Sequence, residues 1–317
     1  MNLHENKILF ADLIRATSET LEIDDVYIEK DYWITRSLQR MAQNSNTEKV
    51  VFKGGTSLSK AYHLTNRFSE DIDIAVIDAD SFSGNQLKML IKRLAKDMAE
   101  GLVEDVVQGV TSKGSRFYKA IYLYPQLTNL FSSTVNTGQL LIEINTYANP
   151  YPYVRQEIDS FITNYLATIN RSDLVEQFRL QPFALNVLDK RQTMIEKLVS
   201  LFRFSFSENY KLELSKKIRH FYDLYYLAND EECTTYIQTT DFKQDFTELL
   251  AHDKQEFDTP INWRDKEIAQ SPLVLDFPAL WNVLKDVYSS ELPKLAFVPV
   301  PEEKEVAKTF IQIIKRL

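Results

Sequence analysis

The chain contains Lys53-Gly54-Gly55-Thr56-Ser57-Leu58-Ser59-Lys60 followed by Ser69-Glu70-Asp71-Ile72-Asp73-Ile74, and these two runs decide how its first half folds. Because the apolar residues Val50-Val51-Phe52 precede the glycine pair, the first run predicts a strand, a glycine turn and a helix. The second run alternates polar and apolar residues, which is typical of a half-buried strand. Residues two apart on a strand share one face, so the carboxylates of Asp71 and Asp73 are expected to converge.

Two carboxylates on one strand face are typical ligands of divalent cations. With two closely spaced metal ions, such carboxylates can activate an attacking hydroxyl and stabilise the pyrophosphate that leaves a nucleoside triphosphate. The sequence therefore predicts nucleotidyl transfer, with Asp71 and Asp73 as catalytic residues and as metal ligands.

The glycine turn beside these carboxylates predicts a phosphate site. Paired glycines let the backbone approach phosphates closely, and the amides that open the following helix favour anions. The spacing differs from G-x-x-x-x-G-K-[ST], so the ordinary ATPase or GTPase loop is disfavoured. The candidate substrate-binding residues of this turn are Gly54, Gly55, Thr56, Ser57 and Lys60.

A third acidic residue, Glu143, lies on a predicted strand whose apolar residues Ile142 and Ile144 point the other way. If that strand pairs with the strand of Asp71, Glu143 can serve as a third metal ligand or as the base for the incoming hydroxyl. The alternative is a solvent-facing glutamate on an edge strand.

Two further candidates lie in helical segments of the second half. Lys197 stands at the edge of an apolar stripe, so its ammonium can reach a cleft and contact a triphosphate, or form an ordinary surface pair. Asp223 is flanked by apolar residues on both sides, and a buried carboxylate needs a partner. That partner is either Arg219, four residues earlier, or Lys197 or the substrate.

Length and residue distribution predict two domains of an α+β protein. A chain of 317 residues suits two cores, and its seven glycines all precede residue 139. We expect a nucleotidyltransferase domain over residues 1–188, with N-terminal helices and a small mixed sheet, and a mainly helical domain over residues 189–317.

The charge pattern limits where a polyanion can bind. The net charge is 37 − 45 = −8, so any nucleic-acid contact must come from a local basic patch. Residues 190–220 carry eight cations and three glutamates, a balance of +5, whereas residues 221–258 have a balance of −8. The first of these stretches is the predicted site of RNA contact.

Composition excludes several classes of protein. No apolar run approaches the ~20 residues that a membrane span needs, and the N-terminus does not resemble a signal peptide, so we expect a cytoplasmic protein. The single cysteine, Cys233, excludes an internal disulfide and makes a zinc site improbable.

The motifs resemble those of one known family, the AbiEii/AbiGii toxin family of nucleotidyltransferases. Phe52 to Tyr62 together with Arg67 to Ile74 resemble its first motif, and the ordered similarity covers about residues 25 to 230. The other similar stretches are Ile28-Glu29-Lys30-Asp31-Tyr32-Trp33, Glu196-Lys197-Leu198 and Arg219-His220-Phe221-Tyr222-Asp223-Leu224-Tyr225.

The resemblance implies a DNA polymerase β-like nucleotidyltransferase fold and magnesium-dependent transfer from a nucleoside triphosphate. It places Ser69, Asp71, Lys197 and Asp223 at the family's essential positions, with Ser69 as a further substrate-binding residue. Family members are toxins of toxin–antitoxin and abortive-infection (phage defence) systems. Some add nucleotides to the 3′ end of tRNA, and the separately encoded antitoxin is often a winged-helix repressor.

Two alternatives remain open at the level of sequence. The acceptor could be a protein hydroxyl, including one on the antitoxin, rather than RNA. The chain could also be a non-catalytic nucleotide-binding regulatory protein whose acidic segment, residues 223–258, contacts other proteins.

Overall fold

A computed structural model describes residues 1–69, 71–128 and 138–317. One mixed sheet runs in the order β3-β5-β6-β2-β1-β8-β7, with β4 paired to β5. Its strands are β1 (Val50–Lys53), β2 (Asp71–Val76), β3 (Val103–Asp105), β4 (Ser112–Lys113), β5 (Phe117–Leu123), β6 (Gln139–Asn145), β7 (Tyr153–Ile158) and β8 (Phe183–Leu188). The β2–β6 and β1–β8 pairs are parallel and the others antiparallel.

Helices surround this sheet in the first half and make up nearly all regular structure in the second. They are α1 (Lys7–Leu21), α2 (Asp25–Gln43), α3 (Gly54–Lys60), α4 (Gly84–Met98), α5 (Phe161–Thr168), α6 (Ser172–Phe178), α7 (Lys190–Ser205), α8 (Tyr210–Lys216), α9 (Ile218–Ala228), α10 (Glu231–Ile237), α11 (Thr240–Glu256), α12 (Pro272–Leu275), α13 (Phe277–Glu291) and α14 (Glu303–Ile314). The predicted α+β class, with a small mixed sheet and a mainly helical second half, is confirmed.

The chain divides into two compact units. The first contains residues 1–62 and 68–188, and the second contains residues 63–67 and 189–317. The short segment 63–67 is held in the second unit by backbone pairing, since the amide of Phe297 donates to the carbonyl of Asn66 over 2.8 Å. The predicted division into residues 1–188 and 189–317 does not include this assignment of residues 63–67 to the second unit.

The core of the first unit lies on one face of the sheet. Ile72, Ile74, Ile142 and Ile144 are fully buried there, as the alternation in β2 and β6 predicts. Helix α4 packs against α2 and β6, and it buries Leu87, Leu90, Ile91 and Leu94 along one side. The opposite side of α4 is exposed.

Helix α2 carries buried charges that serve the fold. The carboxylate of Glu29 accepts hydrogen bonds from the amides of Leu127 (2.7 Å) and Thr128 (2.9 Å) and from the Thr128 hydroxyl (2.6 Å). Desolvation raises the pKa of Glu29, and these donors oppose that shift. A buried carboxylate is stable only with such partners, so α2 fixes the segment that follows β5.

An aromatic cluster forms part of the core of the second unit. The Phe221 ring on α9 lies 4.9 Å from that of Phe310 on α14, and Phe310 lies 4.6 Å from Phe277 on α13. The edge-to-face and tilted arrangements are those that aromatic quadrupoles favour. Phe221, Phe277 and Phe310 are thus core residues of this half.

Among the described residues, no helix is long and apolar enough to span a membrane.

Candidate active site

The carboxylates of Asp71 and Asp73 lie on the face of β2 opposite to Ile72 and Ile74. Both aspartates are half-buried, whereas both isoleucines are fully buried. The expected arrangement of a carboxylate pair beside a glycine turn is therefore present in the first unit. Half-burial leaves these groups within reach of a ligand from solvent.

Gly54 packs directly against the carboxylate of Asp73. Its φ is +81°, a left-handed conformation that favours glycine, and a Cβ there would collide with Oδ2 of Asp73 and lie 3.1 Å from its Cγ. The glycine is thus required twice, once by the backbone conformation and once by the aspartate. The turn brings its peptide backbone against one of the two catalytic candidates.

A charged row crosses four strands on this face. The sheet register aligns Lys53 with Asp73, Asp73 with Glu143, and Glu143 with Lys119. The condition set for Glu143, that its strand pairs with the strand of Asp71, is met by the parallel pairing of β2 and β6. The Nζ atom of Lys119 lies 3.2 Å from Oε2 of Glu143, so the outer carboxylate of the row has a cation beside it.

No group of three or more acidic, histidine or cysteine side chains that could hold a metal ion occurs among the described residues. Glu143 therefore does not form a ready three-carboxylate cluster with Asp71 and Asp73, although it is aligned with one of them. The assignment of Asp71 and Asp73 as metal ligands stays a prediction, and so does the role of Glu143.

The hydroxyl groups of the turn have other partners than a phosphate. The Thr56 hydroxyl donates to the carbonyl of Asp71, and the Ser57 hydroxyl donates to the carbonyl of Gly54 over 2.8 Å. Both side chains are buried. In this structure they fix α3 to β2 and close the turn, so direct phosphate binding by these hydroxyls is not supported.

Lys60 lies in a buried ion pair. Its Nζ is 2.7 Å from Oδ1 of Asp31 on α2 and also donates to the carbonyl of Asp159. The other carboxylate oxygen of Asp31 accepts from the amide of Phe161 over 2.9 Å. This ammonium connects α3 to α2, and its role in the phosphate site stays a prediction.

Gly54, Gly55 and Ser69 are the other substrate-binding candidates of the first unit. Gly55 lies in the first turn of α3, directly after Gly54. Ser69 is half-buried and precedes β2 by two residues. The backbone of Gly54 packs against Asp73, and Ser69 precedes Asp71 by two residues.

A second charged cluster is buried in the second unit. Arg67 donates from Nε to Oδ1 of Asp223 over 2.8 Å and from Nη2 to Oδ2 over 2.7 Å, and Nζ of Lys197 lies 2.7 Å from Oδ2. The Asp223 side chain is 0% exposed. Burial alone raises the pKa of this carboxyl, but Arg67 and Lys197 outweigh it, so the pKa of Asp223 lies well below its ordinary value.

The partners of Asp223 answer a question that the sequence left open. Pairing with Lys197 is present, and the second cation is Arg67 rather than Arg219, as far as the described residues show. Arg67 lies shortly before β2 and far from α9 in the sequence. Its separation of 156 residues from Asp223 left no local signal for the bidentate pair.

Half of the eight cations in the basic stretch over residues 190–219 have an acidic partner among the described residues. Its cations bind neighbours as follows: Lys190 with Asp230 and Glu232, Arg191 with Asp189, Lys197 with Asp223, Arg203 with the backbone and hydroxyl of Thr259, and Lys216 with Glu213. The RNA contact at this stretch stays a prediction, with fewer unpaired cations than the sequence count alone suggests.

Comparisons with known proteins agree with this architecture. The family model described as "Nucleotidyl transferase AbiEii toxin, Type IV TA system" matches residues 36–307. Among solved structures, the chain is similar to MenT4, a nucleotidyltransferase toxin from Mycobacterium tuberculosis H37Rv, with 16% identity and a TM-score of 0.54 over 95% of this chain and 89% of that one. A search of curated proteins found no match. Since the family model spans most of its length, the chain belongs to the AbiEii family of nucleotidyltransferase toxins of type IV toxin–antitoxin systems.

Proposed function

We propose that this nucleotidyltransferase uses magnesium to transfer a nucleoside monophosphate from a nucleoside triphosphate to RNA, with the 3′ end of tRNA as the acceptor. Modification of that end would stop translation in the cytoplasm. The observation that carries the chemistry is the pair Asp71 and Asp73 on one half-buried strand face, with the backbone of Gly54 against Asp73. The choice of acceptor rests on the family resemblance.

The residues present fit magnesium. Asp71 and Asp73 supply carboxylate oxygens, and Mg²⁺ is commonly held by one or two carboxylates while water and substrate phosphates complete its octahedron. A site with two carboxylates therefore needs no third protein ligand. Two bound ions would supply activation of the acceptor hydroxyl and stabilisation of the leaving pyrophosphate.

The chain's own groups have separate tasks in this proposal. The turn amides at Gly54 and Gly55 and the Ser69 hydroxyl hold triphosphate oxygens, because the missing side chain of Gly54 lets the backbone come close. Glu143, aligned with Asp73 and held by Lys119, accepts the proton of the incoming hydroxyl.

In the second unit, we assign Asp223 as a positioning residue, since both of its oxygens are occupied by Arg67 and Lys197. A carboxylate with no exposed surface cannot itself touch a substrate in this arrangement. Lys197 stays our candidate for neutralising charge that develops on the triphosphate. Asp223 would act by holding that ammonium in one place.

The family also implies a partner. We propose a separately encoded antitoxin, of the winged-helix repressor type, and a role in abortive infection by phage. That the chain is the toxin of a type IV toxin–antitoxin system follows from its family membership.

The test incubates purified protein with magnesium, each radiolabelled nucleoside triphosphate in turn, and total cellular RNA. The matched variant is the Asp71→Asn, Asp73→Asn double substitution, and Asp80→Asn on an exposed site is the control. We expect label on small RNA with one or two triphosphates, its loss in the double variant, and its retention in the control. Removal of magnesium by EDTA should abolish the label.

Two results would contradict the proposal. Label on a protein band would move the acceptor from RNA to protein. Absence of label with every triphosphate, together with thermal stabilisation by a triphosphate, would indicate a nucleotide-binding protein that does not turn over.

A further inference from the structure

Helix α4 exposes a row of cations without partners. Lys88, Lys92, Arg93 and Lys96 are all exposed, and their side chains form no hydrogen bond or ion pair with any residue that the structure describes. The one acidic residue of the helix, Asp97, accepts a hydrogen bond from Asn44 over 2.6 Å. Every exposed charged residue of α4 is therefore positive.

The geometry of the helix makes the row regular. Lys88, Lys92 and Lys96 are four residues apart, so they lie on one side with about 6 Å between successive Cβ atoms, and Arg93 stands beside them. The opposite side of the helix buries Leu90 and Leu94 in the core of the first unit, so the row faces away from that core. The charges are thus presented by a rigid element.

The rest of the molecule makes this row unusual. The chain has a net charge of −8, yet the four exposed cations of this helix form no ion pair with any described residue, and the nearby acidic residues Asp97 and Glu100 contact Asn44 and Arg40 instead. The stretch over residues 190–219, which has the higher cation count in the sequence, pairs four of its eight cations with acidic side chains. Unpaired positive charge is what a polyanion requires, and its local density matters more than the total.

We propose that the exposed side of α4, defined by Lys88, Lys92, Arg93 and Lys96 and called the α4 row below, binds the phosphodiester backbone of the RNA acceptor. This inference rests on the proposed transfer to RNA. A linear series of cations complements a linear series of phosphates, and such contacts position a nucleic acid without reading its bases.

A protein partner fits the row less well. Protein interfaces have a desolvated apolar core, with aromatic residues and arginine enriched and lysine depleted. On the exposed side of α4, Met89 is the one large apolar residue in the described helix, at 74% exposure, and three of the four cations are lysines. The composition is that of a phosphate-contacting surface.

The experiment measures binding of a fluorescently labelled RNA hairpin with a single-stranded 3′ extension, in the absence of triphosphate and magnesium. The test variant is Lys88→Gln, Lys92→Gln, Lys96→Gln. The control is Lys266→Gln, Lys304→Gln, Lys315→Gln, which removes three exposed lysines of the second unit that lie outside the basic stretch. Both variants take the net charge from −8 to −11, since 34 − 45 = −11.

We expect the test variant to bind the hairpin at least about tenfold more weakly at moderate salt, and the slope of log K against log salt to fall by roughly 2, as loss of three phosphate contacts requires. The control should match the native protein. A third variant, with arginine at the same three positions of α4, should restore the affinity, because it keeps the charge.

Three outcomes would overturn the α4 row as an RNA site. Equal weakening in test and control variants would assign the effect to net charge. Unchanged RNA affinity in the test variant would show that the α4 row does not bind RNA. Unchanged RNA affinity together with lost binding of poly-L-glutamate would assign the row to an acidic protein.

The proposed function can fail separately. If labelled triphosphate never modifies RNA while binding still depends on α4, the transfer proposal is wrong and the binding surface stands. If label reaches RNA while the test variant binds and modifies RNA normally, the α4 row is wrong and the transfer proposal stands.

Discussion

Two clusters of charged side chains that contain the candidate catalytic residues, one in each unit, differ in their access to solvent. In the first unit, Asp73 and Glu143 stand in an accessible row between lysines, with the Lys119 and Glu143 side chains 31% and 20% exposed. In the second, Asp223 is fully buried between Arg67 and Lys197. A charge that solvent reaches can exchange partners, whereas a buried charge loses several kcal/mol when its partner is removed.

This difference in access to solvent suits the two clusters to different roles, the accessible one to catalysis and the buried one to holding side chains in position. Accessible carboxylates at moderate burial can bind a cation and release it, which catalysis requires. A carboxylate with both oxygens occupied in the interior maintains the positions of its partners instead. We therefore expect substitutions in the first cluster to change activity more than stability, and substitutions in the second to change both.

The largest effect is expected at the accessible aspartates. Asp71→Asn and Asp73→Asn should each lower nucleotide transfer by about 10³-fold or more, equal to about 4 kcal/mol of barrier, since an amide is a poor metal ligand. The thermal midpoint should change by only a few degrees. Label transfer and thermal unfolding measured on the same samples check this. A variant that retains transfer activity but has a strongly lowered thermal midpoint would contradict the proposed difference between the two clusters.

The next effect is at the buried aspartate. Asp223→Asn leaves two cations with a neutral partner and should cost about 3 to 5 kcal/mol in the free energy of unfolding. Asp173→Asn, which removes an exposed pair with Arg171, should leave the free energy of unfolding nearly unchanged. Urea titrations compare the two. Equal costs would show that burial does not distinguish the clusters.

The same variant gives a pH test with a defined sign. Because the pKa of Asp223 is lowered in the folded state, its stabilisation is present above the pKa of the unfolded carboxyl, near 4, and is lost as pH falls below it. The advantage of the native protein over Asp223→Asn should be constant from pH 7 to 5 and shrink towards pH 3. An advantage that grows on acidification would contradict the assigned pairing.

A smaller effect is expected at Gly54, and it tests whether the position of Asp73 in the first cluster matters for transfer. Gly54→Ala should cost about 1 to 2 kcal/mol in stability, because alanine is strained at this φ, and should lower transfer at least tenfold by displacing Asp73. Gly84→Ala is the matched control, since a Cβ there meets nothing within 4 Å. Full activity of Gly54→Ala would show that the position of Asp73 is not critical.

The smallest effect is expected at Lys119. Its pair with Glu143 is partly exposed, so Lys119→Gln should change stability by less than about 1 kcal/mol and transfer by only a few fold. Glu143→Gln should lower transfer by about 10²-fold or more if Glu143 is the base. Rates at saturating magnesium compare the variants. If both substitutions had the same small effect, Glu143 would be a surface residue, as the sequence alternative states.

Local patterns predicted most of the elements that hold the site. The alternation in Asp71–Val76 and in Gln139–Asn145 depends only on the two-residue period of a strand, so strand and face could be read directly. The glycine pair likewise marked the turn. The short strands Val103–Asp105 and Ser112–Lys113 were missed because two or three residues carry no period.

Partners of side chains were harder to predict than faces. Thr56, Ser57 and Lys60 have the right chemistry for phosphates, but tertiary packing gives them backbone carbonyls and Asp31 as partners. Arg67 meets Asp223 across 156 residues, a separation that no local pattern encodes. The balance of +5 over residues 190–220 is a sum of charges in the sequence, and it does not include acidic partners from outside this stretch.

The return of residues 63–67 to the second unit limits how this toxin can be divided. A break between residues 188 and 189 puts Arg67 on one fragment and Asp223 with Lys197 on the other. Neither fragment would carry the complete buried cluster, so each half should be inactive until both are present. A gene split at that point would offer a safe form for cloning, and recombination between related toxins would have to exchange the short segment together with the C-terminal half.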